Sequence, residues 1–94
     1  MSSARELHDR AMTFVDRALR ERDRGNTELS RDLFRKALES EMAAIEELPE
    51  QGGLAWSILH RSAGAMALDC EDFHLAQQLA SRALANEPHP EVED

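Results

Sequence analysis

Ninety-four residues make one small domain with a single core. The apolar share is carried by Ala and Leu, with only Phe14, Phe34, Phe73 and Trp56 as aromatics and no Tyr, which disfavours long strands and points to an all-α fold. A formal charge of −8 repels phosphate backbones and argues against nucleic acid as a partner.

That charge is unevenly spread. Residues 1–36 hold nine basic side chains against seven acids, whereas residues 37–94 hold only Arg61 and Arg82 against twelve acids. The alternating RERDR run at 20–24 reads as a solvated helix face laced with ion pairs. The lone cysteine, Cys70, cannot close an internal disulfide, which fits a reducing, cytoplasmic setting. No stretch reaches the roughly 18 apolar residues of a membrane span, and MSSARELHDR lacks the apolar core of a secretory leader. Neither a membrane nor export is expected.

A first helix is predicted over about residues 4–24. Ser3 followed by Glu6 is a capping box, which satisfies the orphan amides at the helix start. Leu7, Ala11, Phe14 and Ala18 share one face, and Met12, Val15, Leu19 and the stem of Arg22 share the next. Gly25 supplies a left-handed stop, after which Asn26 or Thr27 can cap a second helix over about 27–48. Leu33, Phe34, Ala37, Leu38, Ala44, Ile45 and Leu48 recur there at helical steps, ending before Pro49. PEQGG, residues 49–53, is the longest irregular stretch and the expected joint.

A third helix is predicted over about 54–69, with Ala55, Ile58, Leu59, Ser62, Ala63 and Met66 facing inward. Gly64, inside its SAGA run, is expected to serve close packing, since glycine within a helix costs about 0.5–1 kcal/mol relative to alanine. The fourth helix, about 72–85, is capped by Asp72 and carries Leu75, Ala76, Leu79, Ala80, Ala83 and Leu84 inward. Residues 88–94 read as a proline-punctuated acidic tail without order. Residues 1–87 then form a single domain of two helical hairpins.

The segment 59–88 also has a repeat-like spacing. Ala76 follows Gly64 by twelve residues, Ala83 follows seven later, and Pro88 closes the segment twelve after Ala76. On these residues the second hairpin resembles a tetratricopeptide repeat. It departs from that pattern at His60, Ala63, Ala67 and Ala80, where the motif has Trp, Leu, Tyr and a large aromatic. The first hairpin matches through Ala18, Gly25, Phe34 and Ala37, with Ser30 in place of an alanine. Ala37 and Ala83 lie 46 residues apart, against about 34 in a regular array. The first hairpin is also similar to microtubule-interacting-and-trafficking domains.

Candidate chemistry is sparse. His60, Cys70 and His74 are metal-ligand types, and Cys70 with His74 could suggest a nucleophile and base, but a turn falls between those two. Cys70 reads as a small buried hydrophobe, and Glu71 with Asp72 as acids suited to a helix N-terminus. No phosphate-binding glycine motif occurs, and no cofactor is implied.

A non-catalytic protein–protein interaction module is therefore expected. The resemblance implies a concave groove lined by the first helix of each hairpin, carried here by Met12, Val15, Leu19 and Arg22 together with Ile58, Arg61, Ala65 and Leu68. A protein or peptide segment would lie in it, with the two arginines meeting carboxylates. A homodimer using that surface is the alternative, as is its burial in an ordinary bundle core; a metal-binding or enzymatic bundle is the remote one.

Overall fold

A computed structural model describes residues 2–49 and 53–85. Its elements are α1 (Ala4–Asp23), α2 (Thr27–Glu46), α3 (Leu54–Asp69) and α4 (Phe73–Ala85), with no strand among the described residues. The packed pairs are α1 with α2, α3 with α4, and α2 with α3. Two hairpins thus join through α2 and α3, an all-α architecture as expected. Among the described residues, no helix is long and apolar enough to cross a membrane. The centre of the expected joint, residues 50–52, and the expected acidic tail lie outside the described residues.

Local signals explain the helix ends. Ser3 accepts the Glu6 amide at 3.1 Å and Glu6 returns the bond to the Ser3 amide at 3.3 Å, closing the capping box. Asp72 accepts from the Leu75 amide at 3.2 Å and starts α4. Asn26 stands at the N-cap of α2 but makes no side-chain capping bond. Its side-chain amide is turned to Glu21 instead. α2 stops at Glu46, so Leu48 falls just outside the helix ahead of Pro49.

The two hairpin turns are built alike, 46 residues apart. In the first, the Asn26 amide donates to the Glu21 carbonyl at 2.9 Å and the Gly25 amide to the Arg22 carbonyl at 3.0 Å. In the second, Asp72 donates to Ala67 at 2.8 Å and Glu71 to Leu68 at 3.0 Å. This pair of hydrogen bonds closes a helix through one left-handed residue. Gly25 takes that conformation at φ 85°, and Glu71 takes it at φ 65°. Only glycine adopts it without steric penalty.

Small residues set the spacing of the helices. Ala11 and Ala18 of α1 and Ala37 and Ala44 of α2 are all completely buried, at matching seven-residue intervals. Two serines fasten the same pair: Ser30 donates its hydroxyl to the Ala18 carbonyl at 2.8 Å, and Ser40 to the Leu7 carbonyl at 2.7 Å. Leu33, Phe34 and Leu38 fill the space beside them and meet Ala63, Met66, Ala67 and Cys70 of the second hairpin's core side.

Several inward expectations are corrected. Ala55 and Ile58 are exposed, because the buried stripe of α3 runs through His60, Ala63, Ala67 and Cys70. Small side chains that let α2 and α4 approach decide that stripe, rather than the largest apolar residue. Ala80 and Leu84 are also exposed, since among the described residues α4 packs chiefly on α3 and its covered stripe narrows to Ala76, Leu79 and Ala83. Gly64 is buried between α3 and α4 as expected, but a Cβ there would sit 3.7 Å from both the Ala76 carbonyl oxygen and Leu79 Cβ. That is ordinary contact, so space does not demand glycine.

Candidate interaction surface

The eight groove residues expected from the sequence fall into three settings. Met12 and Val15 are half-buried against the core. Leu19 lies farther along α1 and is 37 % exposed. Arg22 is held at the seam between hairpins: its Nη1 stands 3.8 Å from Asp69 Oδ1, and its guanidinium lies 5.8 Å from the Phe34 ring centroid. Both charged groups are about half exposed, so their pairing contributes only about 0–1 kcal/mol. Arg31 pairs with Glu71 across the same seam.

On α3 the residues divide again. Ile58 borders a cleft with Ala4, Arg5 and His8 at the start of α1, Leu48 after α2, and Ala55 and Leu59. Arg61, Ala65 and Leu68 instead line a trough of about 320 Å³ shared with α4, where Gly64, Ala76, Ala80, Ala83 and Leu84 complete the lining. The α4 half of that trough was missed at the sequence level. Its signal was Ala80, an alanine where the repeat pattern places a large aromatic.

Polar groups that sequence periodicity did not single out lie buried in the first hairpin. Glu41 has a fully buried side chain, and His8 Nδ1 stands 2.8 and 3.0 Å from its two oxygens. No local pattern connects residues 33 apart. Glu21, read as part of a solvated charged face, is only 8 % exposed. Asn26 donates to its Oε1 at 2.7 Å, and this bond holds the carboxyl below the usual carboxylate range. Burial opposes the shift, while Arg24 and Arg17 reinforce it.

The candidate metal and nucleophile residues are separately employed. His60 is buried, its Nδ1 2.8 Å from the Trp56 carbonyl oxygen and its ring centroid 3.7 Å from that of Trp56. Cys70 is buried and its thiol donates to the Ala67 carbonyl at 3.4 Å. His74 is exposed on the first turn of α4 beside Gln77 and Gln78. Glu71 stands three residues before His74, a spacing at which a carboxylate and an imidazole can share a helix face, but Glu71 lies in the turn and pairs with Arg31. Among the described residues, no three His, Cys, Asp or Glu side chains gather where they could hold a metal ion.

The exposed large apolar side chains are a different matter. Ile58 is 50 % exposed, Leu68 55 % and Leu84 64 %. Phe73, at the start of α4, is 62 % exposed. Comparison with protein families, curated proteins and solved structures gave no match to this chain.

Proposed function

We propose that this chain is a non-catalytic protein–protein interaction module, or adaptor, that takes a partner's segment on the surface of α1 and α3. One observation carries the reading: Leu19, Ile58 and Leu68, large apolar side chains of these two helices, stand 37 %, 50 % and 55 % exposed. Exposed large apolar side chains on neighbouring helices are the raw material of an interaction surface. Arg22 lies at the seam between the hairpins and Arg61 in the trough between α3 and α4. The Arg22 pairing with Asp69 is long and half-exposed, so a partner carboxylate can displace it at small free-energy cost.

The test is capture of a partner from the native host by cross-linking, repeated with Leu19→Glu and Arg61→Glu. Loss of the captured protein with both variants, at unchanged helicity, is expected. Full retention would end the reading. A second copy on the same surface is the alternative occupant, and a monomeric mass by light scattering at high concentration removes it.

A further inference from the structure

The 46-residue register makes each hairpin a control for the other. Shifted by that interval, Gly64, Ala65, Leu68, Ala76, Ala80 and Leu84 correspond to Ala18, Leu19, Arg22, Ser30, Phe34 and Leu38. In the first hairpin the Phe34 and Leu38 side of that surface is covered, while Leu19 and Arg22 stay exposed. Phe34 and Leu38 are only 2 % and 4 % exposed because the second hairpin, through α3, lies across them. In the second hairpin Ala80 is exposed and Leu84 is 64 % exposed. The trough between α3 and α4 is the open repeat of an interface the molecule already makes.

We infer that this trough docks one amphipathic helix of a partner protein, with apolar residues spaced as Leu59, Ala63, Met66 and Cys70 are on α3. The occupant of the first hairpin's surface sets the shape, since α3 is itself a helix with that face buried. Ala80 stands where Phe34 fills the first trough, leaving the docked helix to supply the missing bulk. Leu68 and Gln77 stand where Arg22 and Arg31 hold Asp69 and Glu71. Recognition is therefore chiefly apolar, with Arg61 the one charged residue of the lining, and little affected by salt.

Two other occupants fit less well. A second copy stacked head to tail would present the α1 face equivalent to the docking face of α3. There Arg17, Arg20 and Arg24, all exposed, replace Ala63, Met66 and Cys70. Such a face would bury the charges of Arg17 and Arg20, with Arg24 held by Glu21. The nine residues after Ala85, NEPHPEVED, contain four acids and no Leu, Ile, Met or Phe, so they do not provide the apolar stripe.

The trough shares Arg61, Ala65 and Leu68 with the α1–α3 surface but needs nothing from α1, which separates the two in experiment. The probe is a fluorescent 17-residue peptide copying residues 54–70, titrated by anisotropy into the full chain. One-to-one saturation is expected. Ala80→Phe, which fills the trough, and Leu84→Glu, which charges its rim, should each weaken binding by about tenfold or more. Leu19→Glu should leave it unchanged, as should raising salt from about 0.05 to about 0.5 M. Circular dichroism confirms that each variant is folded. No saturable binding, or full binding by both trough variants, overturns the inference. Loss with Leu19→Glu alone overturns it too, and moves the site to the α1–α3 surface. A dimer by sedimentation that Leu84→Glu makes monomeric overturns it in favour of a second copy.

Discussion

The two hairpins share a turn, a register and a small-residue seam, yet one is finished and the other is not. Phe34 and Leu38 are sealed by the neighbouring hairpin, whereas Ala80 and Leu84, at the same register positions, face solvent. The turns differ in the same direction. Gly25 meets the left-handed position without strain, and Glu71 meets it with a side chain that reaches Arg31 of the first hairpin. In the second hairpin the strained turn residue makes a contact with the first hairpin instead. The comparison teaches that burial here is decided by what lies across a helix, and only secondarily by which residue it carries.

The largest expected effect comes from exchanging the two residues that fill or empty the troughs. Phe34→Ala should destabilise by about 3–5 kcal/mol, measured by urea unfolding, because it opens a cavity in a covered surface. Ala80→Phe should change stability by no more than about 0.5 kcal/mol, since it adds a side chain to an open one. A large loss from the second substitution would break the comparison.

Next come the turns, where opposite signs are expected. Gly25→Ala forces a Cβ into the left-handed region and should cost about 1 kcal/mol. Glu71→Gly relieves that strain but removes an exposed ion pair to Arg31, which contributes about 0–1 kcal/mol. Measured in an Arg31→Ala background, Glu71→Gly should raise stability by about 0.5–1 kcal/mol. A loss in that background would mean the two turns are not equivalent.

The smallest effect is a pH dependence confined to the first hairpin, because Ala67 replaces Glu21 in the second turn. The Glu21 carboxyl is depressed in the fold, chiefly by the bond from Asn26. Its contribution is therefore complete above the ordinary carboxylate range and is lost as pH falls through its folded value. Asn26→Ala should lower the neutral plateau of a stability-against-pH curve more than the low-pH end, and so flatten the acid limb between them. An identical acid limb in both proteins would remove Glu21 as its source.

Helix number and type, the capping box, the left-handed Gly25 and the Asp72 cap were all legible in the sequence, because each depends on neighbours within about four residues. The faces of α1 and α2 were legible too, since their apolar periodicity is strong. The face of α3 was less so. Its small residues run nearly all round the helix, and Ile58 drew the eye to a side that no other helix covers. Glu41 and Ser40 were not legible as fasteners, because His8 and Leu7 lie 33 residues away in sequence. Arg61, Ala65 and Leu68 border an apolar depression whose other wall is α4. Seeing that requires knowing that nothing packs on the far side of α4 among the described residues.

The measurement that bears most directly on the unequal cover of the two hairpins is a pair of urea unfolding curves, for Leu38→Ala and Leu84→Ala. The same substitution is made in the same register, so the side chain removed is identical, although Leu38 lies inside α2 and Leu84 in the last turn of α4. Leu38→Ala should lower stability by about 2–5 kcal/mol and Leu84→Ala by less than about 0.5 kcal/mol, with unchanged m-values. Equal losses would show that Leu84 is covered in the free protein, and would contradict an open second trough.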